Sequence, residues 1–186
     1  MNTIVLKDLW RYEGVNCHKK AVQLKYRFFV PGFRYSYLFR KCQLSKPYIR
    51  WFYRLCLRRC SLKTHIQIPW RTSIGEGLYI GHWGTIVINP EAVIGKNFSC
   101  AGSILIGNSQ GKRAGTPVIG NNVRMGQFSV VVGGVHIGND VVIAPGAFVN
   151  FDVPDNSIVI GNPAQIIHQD SSPAMKYIVY SVEDYR

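Results

Sequence analysis

Acidic side chains are scarce in this chain: 10 Asp and Glu stand against 22 Lys and Arg among 186 residues, and no acid lies between Glu13 and Glu76. The imbalance is local. Residues 1–65 hold 15 basic and 2 acidic residues, a net of +13, whereas 66–186 hold 7 and 8, a net of −1. Two regions with different roles follow. Long apolar runs are also missing, because Arg and Lys interrupt every aromatic stretch of residues 20–60. Nothing approaches the roughly 18 apolar residues of a spanning helix. The five cysteines (Cys17, Cys42, Cys56, Cys60, Cys100) form no CxxC pair, and the opening MNTIVLKDLWRYEG lacks the apolar core of a signal peptide. A reducing, cytoplasmic location is expected. The histidines show no spacing that would converge three of them on zinc, so no metal is expected. With 47% hydrophobic residues, disorder is excluded for most of the chain.

Residues 1–60 read as a basic, aromatic-rich helical region: helices near 4–12, 17–29 (stopped by Pro31-Gly32), 33–43, and from Pro47 to about Arg59. Arg and Lys alternate with Phe, Tyr and Trp throughout. Such a surface suits anionic headgroups or a polyanionic substrate, each cation near a membrane being worth about 1 kcal/mol. It is equally the pattern of aromatics buried against the rest of the protein beneath solvated cations. No nucleic-acid module accompanies the charge, so no nucleic acid is expected.

From residue 62 the periodicity changes to six. Aliphatic residues fall at Leu62, Ile68, Ile74 and Ile80, then at Ile88, Ile94, Cys100 and Ile106, then at Ile119, Met125, Val131, Ile137, Ile143 and Val149. Gly often follows directly, and the fourth position after is small or branched, as at Ala92, Val123, Ser129, Val135, Val141, Ala147 and Val153. A helix needs apolar spacing near 3.6 and does not tolerate so much glycine. Period six fits a solenoid in which each hexad is a short strand plus a corner and three hexads make one triangular coil. About fifteen hexads predict about five coils over residues 61–168, with 169–186 as a C-terminal tail. Cys100 reads as core, and His136 as solvent-facing. Two breaks interrupt the repeat: Ile80-Gly81-His82-Trp83-Gly84-Thr85-Ile86, and the polar loop Asn108–Thr116.

These residues resemble the hexapeptide-repeat acyltransferases, most of all the serine acetyltransferase group with its relatives in polysaccharide biosynthesis. The resemblance is tightest in GEGLYIGHWGTIVINPEAVIGKN, GTPVIGNNVRMG and DVPDNSIVIGNPAQII, and looser at Gly32-Phe33 with Leu38 and Arg40. It implies an all-β solenoid, a left-handed parallel β-helix, assembling as a homotrimer or as a dimer of trimers. Acetyl-coenzyme A would lie between neighbouring prisms. It also implies His82 as general base, a role worth roughly 10²–10⁴ in rate. Gln67 stands where the group has the aspartate that supports this histidine, and would orient the ring. Gly107, Asn108, Gln127, Pro145, Gly161, Asn162, Pro163 and Ala164 match coenzyme-binding positions. Trp83, Arg113 and Thr116 fall on the acceptor side, Thr116 replacing the group's substrate-binding histidine. With several serine-gripping groups absent, the expected acceptor is a sugar hydroxyl or L-serine. The rival reading is a non-catalytic trimeric module tethered by its basic arm to a membrane or polyanion.

Overall fold

The computed structural model describes residues 1–186. Four helices, α1 (Thr3–Glu13), α2 (Lys20–Phe29), α3 (Pro31–Leu44) and α4 (Pro47–Thr64), precede fifteen short strands. Asn2 caps α1, its side chain accepting the Ile4 N–H at 3.1 Å. The expected helix over 17–29 is divided: Gly14–His18 is a 3-10 turn and α2 begins at Lys20. Pro31 both stops α2 and opens α3, where its missing N–H costs nothing.

α4 runs past the expected boundary at residue 60 and carries Leu62 outward, 72% exposed, so Leu62 is not a rung of the solenoid. The Thr64 hydroxyl donates to the Cys60 carbonyl at 2.9 Å, and His65 ends the helix in the left-handed region (φ 59°). The column of inward side chains starts instead at Ile66 and Ile68. Every later inward position of the repeat, from Ile74 to Val149, is buried, as are all seven small or branched positions named above.

The strands form three faces of a prism. The first holds Ile66–Gln67, Ile86–Ile88, Ile104–Gly107, Ser129–Val132 and Phe148–Val149. The second holds Ser73–Ile74, Val93–Ile94, Val118–Ile119 and His136–Ile137. The third holds Tyr79–His82, Ser99–Ala101, Arg124–Met125, Val142–Ile143 and Ser157–Ile160, with Gln165–His168 pairing antiparallel on the last. All other pairings are parallel and stack like on like: Ile74 on Ile94, Ile94 on Ile119, Ile119 on Ile137.

The corners explain the glycine and asparagine content. Asn97, Asn122 and Asp140 all have positive φ, and their side chains form a ladder: the Asn97 amide donates to Asn122 Oδ1 at 2.9 Å and that of Asn122 to Asp140 Oδ1 at 3.0 Å. At a neighbouring corner the turns approach so closely that a Cβ on Gly120 would sit 2.7 Å from the Gly138 carbonyl oxygen.

Two further features position the site. Asp8 of α1 is fully buried; it pairs with Arg40 of α3 and accepts the Gly77 and Leu78 N–H groups, each at 2.9 Å. Residues 169–186 run back along the third face to α1. There Trp10 donates to the Ser181 carbonyl at 2.9 Å and its ring meets Tyr180 and Tyr185 edge-on.

Candidate active site

His82 ends the first strand of the third face, which helices hold from two sides. The Tyr12 hydroxyl of α1 accepts the Ile80 N–H at 2.9 Å and donates to the Ile80 carbonyl at 3.1 Å. Burial pushes the Tyr12 phenol well above its ordinary value, so it stays protonated and able to donate. Gly32 of α3 packs on the same residue: any Cβ there would collide with the Ile80 carbonyl. The register against Ser99–Ala101 then shifts between Ile80 and His82, so that Gly81 is bulged out and His82 faces Ala101. Such bulges re-aim side chains. Here the result is an imidazole at an exposed corner, with no hydrogen-bond partner in this chain.

His82 stands at one end of a groove of about 530 Å³ that follows the third face toward Ile158. Ala101, Gly126, Gln127, Ala144 and Pro145 line its floor, and Pro173, Lys176 and Tyr177 of the returning C-terminal segment form a wall. Arg124 lies over the Tyr177 ring, 4.5 Å from its centroid. Arg124 and Lys176 make the groove cationic, and no carboxylate lines it. A long, partly apolar ligand carrying phosphates matches that surface.

Of the residues expected from sequence, the groove joins His82, Gln127 and Pro145. The structure does not bring Gln67 to His82: Gln67 lies on the first face, in a separate cleft beneath α4, and makes no hydrogen bond to the imidazole. Trp83 is exposed at the corner beside His82, outside the groove lining. Gly161, Asn162, Pro163 and Ala164 form the turn into the closing antiparallel strand, beyond the end of the groove.

The Asn108–Thr116 loop leaves the first face after Gly107 and returns to the second at Val118, so it stands at a different edge of the prism from His82. Ser109 and Gly115 exchange backbone hydrogen bonds at 3.0 and 3.1 Å. Gly134 donates its N–H to the Arg113 carbonyl at 2.9 Å. The Arg113 guanidinium is engaged by Asp152 at 2.9 Å and holds that carboxyl below its ordinary value. Thr116 donates to the Glu91 carbonyl at 3.3 Å.

Sequence reasoning missed Arg124, Lys176 and Tyr177. Arg124 had a signal, since it directly precedes an inward residue, Met125, in a strand of the face that carries His82. The two C-terminal residues had none, because their place depends on how the last segment folds back.

The family described as "Bacterial transferase hexapeptide (six repeats)" matches residues 116–150. Serine acetyltransferase 2 of Arabidopsis thaliana is 38% identical over 118 residues, covering 60% of this chain and 36% of the relative. The serine acetyltransferase of Helicobacter pylori is 34% identical over 110 residues, covering 58% of this chain and 63% of the relative. The chain thus spans about a third to under two thirds of these relatives' lengths. Among solved structures, Neisseria gonorrhoeae serine acetyltransferase superposes with a TM-score of 0.70 at 25% identity, covering 94% of this chain and 69% of that one. A Brucella abortus serine acetyltransferase in complex with coenzyme A gives a TM-score of 0.72 at 24% identity, covering 91% and 67%, a likeness of fold. The prism is therefore a left-handed parallel β-helix preceded by helices. In repeat and fold alike, the chain resembles the hexapeptide-repeat acyltransferases of the serine acetyltransferase-like group.

Proposed function

We propose that the protein is an acetyl-coenzyme A-dependent O-acetyltransferase in which His82 is the general base. One observation carries this: the single bulged strand of the third face delivers an exposed imidazole to the end of a long cationic groove. His82 takes the proton of an acceptor hydroxyl as its oxygen attacks the thioester carbonyl. The C–S bond then breaks, and His82 returns the proton to the departing thiolate. No acyl-enzyme forms. Arg124 and Lys176 hold phosphates of the coenzyme, and Gln127 and Pro145 line the path of its pantetheine arm.

The active unit in this reading is a homotrimer. The loop residues Gly107, Asn108, Arg113 and Thr116 stand at another edge of the prism, so only a neighbouring copy could bring them to His82. The cytoplasm suits the five free thiols.

L-serine is the acceptor suggested by the names of the relatives. A second reading, a sugar hydroxyl, is favoured by the groove itself: no lining carboxylate is present to meet serine's ammonium. Thiol release from acetyl-coenzyme A, measured with serine and with a panel of sugars and nucleotide sugars, tests both. Turnover with at least one acceptor, lost by about 10²-fold or more in His82→Ala, is the expected result. Turnover within a few-fold of wild type in that variant removes His82 from the chemistry. Absence of turnover with every acceptor favours the non-catalytic trimeric module.

A further inference from the structure

α4 is apolar on two opposite sides. Its inward side, with Tyr53, Leu57, Cys60 and Thr64, packs against α3 and the start of the prism. Its outward side carries Tyr48, Trp51, Phe52, Leu55 and Leu62, each more than half exposed. The spacing of three, four, seven and fourteen residues from Tyr48 places all five on one stripe of the helix. Arg54, Arg58, Arg59 and Lys63 lie within or beside it. Beneath the stripe opens a cleft of about 500 Å³ that shares Trp51 and Leu55 with it and adds Arg54, Arg58 and Trp70.

We propose that this stripe docks the protein on a bilayer containing anionic lipid, with α4 lying in the plane of the interface. Charge complementarity selects this occupant. A second copy of the same face would set cations against cations, since no acid lies between Glu13 and Glu76 to pair with them. Lipid phosphates answer the Arg and Lys heads, and the acyl boundary accepts the aromatic and Leu side chains, which is the composition of an interfacial helix. Water-facing Trp and Phe on a folded chain are otherwise unfavourable. The docking is independent of the reaction proposed above and stands or falls separately from it.

Flotation of the full chain with vesicles of phosphatidylcholine plus phosphatidylglycerol, against phosphatidylcholine alone, tests it. The protein is expected to float with the anionic vesicles, and raised salt is expected to release it. Trp51→Glu with Leu55→Glu should lower recovery by about tenfold or more. Ile167→Glu, on the closing strand at the far end of the prism, should float as wild type does. A conservative variant guards against misfolding: Trp51→Phe should still bind while losing much of the tryptophan quenching by brominated lipid. Equal recovery on neutral vesicles, or undiminished anionic binding by the double variant, overturns the proposal. So does a shift of that variant to a smaller oligomer with no change in flotation, which would assign the stripe to a second copy.

Discussion

Asp8 and Arg40 form an ion pair without solvent access: Arg40 Nε donates to Asp8 Oδ2 at 2.8 Å, and the two side chains are 0% and 1% exposed. Each also fastens a turn of the prism. Asp8 receives the Gly77 and Leu78 N–H groups, while Arg40 donates to the Ile74 and Gly75 carbonyls at 2.7 and 2.6 Å. The pair therefore fixes two helices to the turn that leads into the His82 strand. Asp8→Asn leaves Arg40 buried and unpaired, and we expect a loss of about 3–5 kcal/mol in urea unfolding. A loss below 1 kcal/mol would mean that the interior tolerates a lone guanidinium.

Tyr12→Phe removes the hydroxyl that satisfies both backbone groups of Ile80. The expected cost is about 1–3 kcal/mol of stability. In the enzyme proposed above, turnover should fall while the KM for acetyl-coenzyme A stays unchanged, because Tyr12 positions the His82 strand and does not touch the groove. A rise in that KM with constant turnover would contradict this division.

Gly134→Ala tests the docking of the Asn108–Thr116 loop. A Cβ on Gly134 would lie 2.6 Å from the Ala114 carbonyl oxygen, so the loop must move outward. Faster proteolysis within Gln110–Ala114 is expected, with the melting temperature of the prism shifted by only a few degrees. Unchanged cleavage would show that the loop does not rest on this turn.

Cys100 provides an alkaline signature. Burial pushes its thiol from about 9 up to about 12. A group whose value is raised by folding contributes stability below its unfolded value and loses it as pH rises toward the folded one, so the fold should weaken between pH 9 and 12. For this thiol alone the loss from pH 8 to 10.5 is about 2 kcal/mol. Cys100→Ala should shrink the wild-type difference in unfolding free energy between those two pH values by about that amount. An identical difference in the variant would place the alkaline sensitivity elsewhere.

The solenoid was legible because its signal is local and repeated: a residue such as Ile119 reports its own burial through its neighbours six positions away. The same reading failed at Leu62, where helix and hexad periods overlap and a capped helix end at Thr64 decided between them. His82, Gln127 and Pro145 were found on one groove because resemblance and register agree there. Gln67 was not, since fifteen residues of sequence separation say nothing about which face each side chain takes. Asp8 was invisible as an anchor, because its partners lie 32 and about 70 residues away.

The returning C-terminal segment has a consequence for how the molecule comes apart. Open repeat arrays fray from their ends, coil after coil. Here the Ser181 carbonyl is held by Trp10, and the His18 ring lies 3.0 Å from the Arg186 carbonyl oxygen, so the last residues are latched to the first helix. Unzipping from the terminal coil has to release the helical region as well, and melting should be cooperative from end to end.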